Sequence, residues 1–388
     1  MQTYTPPGLD TSIFDAVIQA GDVPTRIKLA CALAQLTADP QTHESDRTQV
    51  VPCILKLAID PVADVRKALA GGLARSAKVH ADVVFTILAD EDDIALPFLS
   101  ATASLDAWMK IAVAKVGDTA RQVQLALRGD VDAETAMILI TRGESEPCMA
   151  LFDNLTFHFT PAHYRALYER HGKRIELVER LLACEDLPLD IRVMQAKRAS
   201  NRIHQLMAER GWMAANDAAE IVADAEETAV LRILIAAERR ELSPLIRFLT
   251  AQGMLTPSII MRAACAGEMD IVLRALAHLS GMPAGKARQY LDGHGLASPK
   301  ALFKKAGIPE SCHGLIRAAA DVARELDRER VPVEAEDFGR QVIEALMTRY
   351  AELGMSERTK LLDYVGRFAD DRVRTVARRL KSDLVRAA

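Results

Sequence analysis

The chain has 388 residues, 49% of them apolar but only 5% aromatic, with 49 basic against 53 acidic side chains. So nearly balanced a charge excludes a general nucleic-acid coat, which needs a clear basic excess. An apolar share carried mainly by Ala and Leu favours helices over strands.

Residues 1–9 have neither the basic nor the apolar region of an export signal, and no uncharged run approaches the roughly 18 residues of a membrane span. A cytoplasmic protein is expected. Residues 1–10, with Pro6-Pro7-Gly8, read as disordered. From there onward, apolar residues at i, i+3, i+4 and i+7 between short Gly, Pro or Asp breaks predict about twenty helices and no strand. In chain order the plainest span 24–37, 62–75, 81–88, 94–104, 119–127, 133–141, 175–183, 189–210, 228–239, 257–266, 270–279, 313–325, 333–353 and 357–380. Breaks near Glu144–Pro147 and Ser280–Gly285 mark the expected divisions. They give helical repeats over 11–145, a second repeat region over 146–280, and a cap with long amphipathic helices over 281–388.

One repeat signal recurs residue by residue. Asp60-Pro61-Val62-Ala63-Asp64-Val65-Arg66 and Asp186-Leu187-Pro188-Leu189-Asp190-Ile191-Arg192 share Asp at positions one and five, an aliphatic residue at six and Arg at seven. Looser copies run from Glu226 to Arg232 and from Asp22, with Lys28 at the Arg position. The first Asp suits an N-cap and the following Pro a first helical turn. The Arg, over a turn later, can reach the Asp of a neighbouring helix pair. The pattern resembles HEAT repeats, and that resemblance implies an all-α, α-solenoid fold in which Asp60, Arg66, Asp186 and Arg192 form a ladder between repeats. The segment 368–377 keeps the Asp-Arg-Val-Arg look but has Phe368 where the Asp should stand.

A second resemblance covers roughly residues 50–330. Its marks are Asp60-Pro61 with Val65-Arg66-Lys67-Ala68-Leu69-Ala70, Ile87-Leu88-Ala89-Asp90 followed by Ala95-Leu96-Pro97-Phe98-Leu99-Ser100, Leu276 to Pro283, and Lys305-Ala306-Gly307-Ile308-Pro309. On these residues the chain resembles the bacterial proteins carrying domain of unknown function 2336. That implies a helical architecture and a bacterial origin, and it transfers no catalytic residue.

Several stretches invite chemistry. Gly281-Met282-Pro283-Ala284-Gly285-Lys286-Ala287 superficially resembles a phosphate-binding loop. It has one residue too few between its glycines and Ala287 where a hydroxyl should hold magnesium, so it reads as a helix stop at Gly281 and a new start at Pro283. Asp90-Glu91-Asp92-Asp93 lacks the alternation of a calcium loop and reads as an interhelix turn whose acids cap the helix from Ile94. His158, His163 and His171 lack the spacing of a metal site and read as partly exposed polar residues. The six cysteines are far apart and read as buried thiols. No metal or cofactor is expected.

Arg367, Arg374, Arg378 and Lys381 fall along one helical stripe, a possible partner-binding face whose plainer reading is a solvated side. Residues 1–160 hold 13 basic and 21 acidic side chains, against 36 and 32 in the remainder, so an anionic partner should meet the second half. The expected function is a non-enzymatic scaffold binding protein partners. The alternative is a nucleic-acid-binding HEAT-like protein similar to the solenoid DNA glycosylases. Its need for phosphate-neutralising cations and for aromatics beside a base is poorly met by an acidic first half with only Trp108 and Trp212 as tryptophans.

Overall fold

The structure is a computed structural model. It describes residues 11–211, 213–293, 298–329 and 335–349, with positions 362–363, 365–366, 378 and 382. Among them are 21 helices and no strand, so the protein is all-α. It divides into two compact units, Met1–Leu187 and Pro188–Ala388.

The first unit holds α1 (Ser12–Ala20), α2 (Val23–Ala38), α3 (Glu44–Ala58), α4 (Ala63–Leu73), α5 (Ala81–Leu88), α6 (Asp92–Ala101), α7 (Ala107–Val116), α8 (Thr119–Ala126), α9 (Ala133–Arg142), α10 (Ser145–Asp153), α11 (Pro161–His171) and α12 (Ile175–Leu182). Their starts follow from local chemistry. Asp22 accepts from the Thr25 amide, Asp118 from Arg121 and Asp132 from Thr135, and Thr160 closes a capping box with His163 before Pro161.

The helices are short, and their buried positions repeat as adjacent pairs. They are Val83, Val84, Ile87 and Leu88 in α5; Ile94, Ala95, Phe98 and Leu99 in α6; and Thr135, Ala136, Leu139 and Ile140 in α9. This i, i+1, i+4, i+5 pattern makes a stripe two columns wide. One column can face the pair mate while the other faces the next helix of the same row. The contacts agree: α2, α4, α6, α8, α10 and α12 follow one another in one row, and in the other α3 lies between α1 and α5, and α9 between α7 and α11. Within α4, Gly72 lets the first row close up, since a Cβ there would lie 2.6 Å from the Ala34 Cβ.

The second unit is a bundle. Its elements are α13 (Leu189–Arg210), α14 (Ala215–Ala236), α15 (Arg239–Ala251), α16 (Pro257–Cys265), α17 (Met269–Ser280), α18 (Ala284–Asp292), α19 (Pro299–Lys305), α20 (Glu310–Glu329) and α21 (Ala335–Arg349). The long α13 and α14 fold back along each other through Gly211, whose φ of 61° suits glycine. Every residue from Ile259 to Cys265 in α16 is buried, and one apolar core extends from Val193 to Val365.

Three expectations change here. The division falls at Leu187/Pro188, whereas the break expected after residue 145 lies within α10 of the first unit. The break expected after residue 280 lies inside the second unit's core, because α17 packs on both α18 and α19. The helix expected over 228–239 begins at Ala215, its first half disguised by alanines that give a weak apolar period. Residues 1–10 lie outside the described residues.

Two glycines of α4 offer a paired test. Gly72→Ala should cost about 1–3 kcal/mol, because the added methyl overpacks the α2–α4 contact. Gly71→Ala, with nothing near its Cβ position, should stabilise by roughly 0.5–1 kcal/mol through helix propensity. Urea unfolding of both variants gives the comparison, and similar losses from the two would contradict the close approach at Gly72.

Candidate functional site

Polar side chains join the turns of the first unit into two ladders. In the first, Arg66 of α4 donates from Nε and Nη2 to the two oxygens of Asp90, at 2.7 and 3.1 Å, and from Nη1 to the Asp60 carbonyl at 2.8 Å. Asp60, itself buried, receives Arg26 of α2, with Nη2 3.3 Å from Oδ1 and Nε 2.9 Å from Oδ2. Arg121 of α8 reaches back to the same turn as Arg66, donating to the carbonyls of Leu88 and Asp90 at 2.6 Å each and to Asp92 at 3.1 Å. A continuous chain of contacts, Arg26–Asp60–Arg66–Asp90–Arg121, in which ion pairs alternate with bonds to backbone carbonyls, thereby links four helix pairs.

Some expected roles fall to other residues. Asp60 does not cap α4, whose N-cap is Val62. Its carboxylate instead accepts the Val62 amide at 2.8 Å in a turn set by Pro61. Arg26, rather than Lys28, reaches the next pair. The acids of the Asp90 turn make no side-chain cap on α6, because Asp90 is held by Arg66. Glu226 lies inside α14, so no turn exists there to carry a ladder.

The second ladder runs through the connections between pairs, where helices of the first row end. Arg47, 6% exposed, donates to the carbonyls of Thr37 and Asp39 at 3.2 and 2.6 Å. The Ser104 hydroxyl donates to the Ser76 carbonyl at 2.6 Å and accepts the Val79 amide, while the Ser76 hydroxyl donates to the Thr37 carbonyl. Arg128 donates to the Leu99 and Thr102 carbonyls, and the Asn154 amide to those of Ala126 and Arg128. Burial alone would raise the Asp130 carboxyl, but Arg128 and Lys110 outweigh it and hold the group below its usual range. None of Arg26, Arg121, Arg47, Arg128 or Asn154 was singled out in the sequence. An Arg three or four residues past a turn Asp could have flagged the first two; the others reach carbonyls that no local pattern announces.

Asp186, at the end of the first unit, accepts the Tyr164 hydroxyl at 2.6 Å and does not cap α13, whose N-cap is Pro188. Arg192 lies half-buried in the first turns of α13 in the second unit and is not free. Of the cationic stripe, Arg378 is helical and exposed; Arg367, Arg374 and Lys381 lie outside the described residues, as does the whole of 368–377. His163 and His171 are buried, against expectation. His163 is drawn in by two bonds, its Nδ1 accepting the Thr160 amide and its Nε2 facing the Ala133 carbonyl at 3.0 Å. Four cysteines are buried, but Cys31 is exposed and Cys184 partly so. Burial pushes the Cys148 thiol up to about 12.

In the second unit, Arg262 of the central helix is buried and paired with Asp224 and Glu227 of α14. Glu227 also accepts the hydroxyls of Thr256 and Ser258. Beside it, a cavity of about 210 Å³ is lined by Lys197, Glu226 and Glu227, where burial raises the Glu226 carboxyl against the pull of Lys197. A groove of about 460 Å³ between α20 and α21 holds Asp321, on which Arg317, Arg324 and Arg349 converge at 3.1, 3.0 and 2.7 Å. A third cavity, about 210 Å³, lies along α15 and α17.

The family described as "Uncharacterised protein conserved in bacteria (DUF2336)" matches residues 94–356. No curated protein and no solved structure matches the chain.

Two measurements follow from this geometry. Arg66→Ala leaves Asp90 and the Asp60 carbonyl without their donor and should lower stability by about 1–3 kcal/mol in chemical denaturation. Arg66→Lys should recover only part, since one ammonium cannot bridge both Asp90 oxygens. A full recovery would deny the bidentate geometry any weight. For His171, burial holds the pKa below its ordinary value of 6.5, with Arg170 adding to the effect. Between the two values the unfolded chain binds more protons, so stability is complete above about pH 6.5 and declines as pH falls towards the folded value. His171→Gln should flatten the fall in Tm between about pH 6.5 and 5. Equal slopes in both proteins would remove His171 as its source.

Proposed function

We propose that this chain, which belongs to the DUF2336 family of uncharacterised bacterial proteins, acts as a non-enzymatic helical-repeat scaffold that binds a protein partner in the cytoplasm. Among the described residues no helix is long and apolar enough to cross a membrane. The observation that carries the reading is an aromatic pair on the α5–α7 side of the first unit. Trp108, at the start of α7, is 54% exposed, and its ring centroid lies 5.6 Å from that of Phe85 in α5. A large rigid ring held in place yet open to solvent resembles the aromatic anchors that carry most of the energy of protein interfaces. The stacked helix pairs supply an extended surface around it. The acidic excess of residues 1–160 suits a partner with basic groups at the rim of the contact.

The nucleic-acid alternative has less support. In the first unit Arg26, Arg47, Arg66, Arg121, Arg128 and Arg170 are all bonded to turns or helix ends. Those groups are therefore committed to holding repeats together, and phosphate binding needs free ones.

Immobilised wild type and Trp108→Ala, exposed to native bacterial lysate and compared by quantitative mass spectrometry, test the proposal. Trp108→Ala should keep the far-ultraviolet circular dichroism of the wild type and lose a defined protein partner, with Kd weakened roughly thirtyfold, the scale of a 2 kcal/mol anchor. An identical set of captured proteins from both baits would defeat the anchor, and capture of duplex DNA at physiological salt would favour the alternative.

A further inference from the structure

The cavity along α15 and α17 differs in kind from the others. It is lined by Ser243 and Arg247 of α15, Arg274 and His278 of α17, and Ala284, the first residue of α18. No carboxylate lines it. The Lys197 cavity holds two glutamates, and in the α20–α21 groove Asp321 already receives three guanidinium groups. Here one acid, Asp270, bonds to a lining residue, receiving Arg274 Nε at 2.9 Å, and lies 3.8 Å from Arg239 Nε. Arg247 and His278 have no hydrogen-bond or ion-pair partner for their side chains among the described residues.

Arg274 is fixed in place. Besides Asp270 it donates from Nη1 to the Ser243 hydroxyl at 2.8 Å, so the guanidinium is oriented before any ligand arrives. Such preorganisation lowers the ordering cost of binding. The end of α17 does not oppose an anion strongly, because its last carbonyls are engaged: the Gly281 amide bonds to His278 and the Met282 amide to Ala277. The N-cap of α18 is Pro283, which offers no side chain to the first amides of that helix. Those amides add positive character to a site already defined by its cationic side chains. Size narrows the ligand further. At about 210 Å³ the cavity falls below the roughly 300–1,000 Å³ of drug-sized ligand sites.

We propose that Arg247, Arg274, His278 and Ser243 form a binding site for a phosphoryl oxyanion, with Arg247 supplying paired guanidinium donors and Arg274 its Nη2, the nitrogen that Asp270 and Ser243 leave unengaged. The donor set fits this chemistry: guanidinium forks match phosphate bidentately, and a hydroxyl and an imidazole add single donors. This site is independent of the protein-binding reading of the first unit, since the cavity lies wholly in the second. A free phosphate and a lipid phosphate headgroup present the same group, and the test separates them.

Titration calorimetry of the full chain with inorganic phosphate is the first arm. Co-sedimentation with phosphatidylcholine vesicles, with and without phosphatidic acid, is the second. Wild type should bind in at least one arm, and the responding arm assigns the source. Arg247→Gln should weaken that binding by about tenfold or more, the loss expected for one charge-assisted hydrogen bond. Because the Arg247 side chain makes no bond among the described residues, its variant should unfold like the wild type. Arg274→Gln should weaken binding at least as much, and His278→Ala less. Lys115→Gln, an exposed change on α7 of the first unit, should leave binding untouched. No binding in either arm, binding unchanged in Arg247→Gln, or an equal loss in Lys115→Gln would each overturn the site.

Discussion

Short helices set the main constraint on the first unit. Each helix leaves about four carbonyls without an intrahelical partner at its C-terminal end, and a run of twelve short helices multiplies that number. In the row of α2, α4, α6 and α8, those ends meet the next pair away from bulk water. The arginines, serines and Asn154 of the connections bond to them directly, at Thr37, Leu99, Thr102, Ala126 and Arg128. Remove such donors and buried acceptors stay unsatisfied, a cost of about 1–3 kcal/mol each. The apolar columns between helices can close only where the polar ends are satisfied.

The first ladder solves a related problem with charge. Asp60 is 5% exposed, and a carboxylate so buried needs a cation beside it. Arg26 supplies that charge from the preceding pair, while Arg66 bonds to the Asp60 carbonyl and carries the chain onward to Asp90. Because each arginine engages a neighbouring turn, the network also sets the register of one pair against the next. The second unit places its ionic group differently. There a buried Arg262 in α16 ties that helix to α14 through Asp224 and Glu227, and the hydroxyls of Thr256 and Ser258 complete the bonding of Glu227.

This division of labour bears on function. In the first unit most arginines are structural, which leaves an acidic surface with an exposed aromatic pair and little to attract phosphate. In the second unit, the Arg247 side chain has no such bond among the described residues and lines one cavity with Arg274. The charge asymmetry along the sequence thus accompanies a difference in how the two units use their arginines.

Helix content was legible in the sequence because its cause is local. Apolar spacing, N-cap acids and first-turn prolines act within a few residues, and so the helices at 81–88 and 189–210 were read with the bounds they have. The Asp60–Arg66 pair was visible as a motif for the same reason, and so was the helix stop at Gly281, whose φ is 64°. Partners across space were not legible. Arg121 meets Leu88 and Asp90 more than thirty residues away, His163 is buried by the Ala133 carbonyl, and Arg247 lines one cavity with Arg274 only because α15 packs on α17. Nor could the sequence place the division at Leu187/Pro188, since a unit boundary is where packing stops, and packing depends on which distant columns meet. Local propensity determined the helices of this protein, and the tertiary structure alone decided which of its charges hold the fold and which remain open to a ligand.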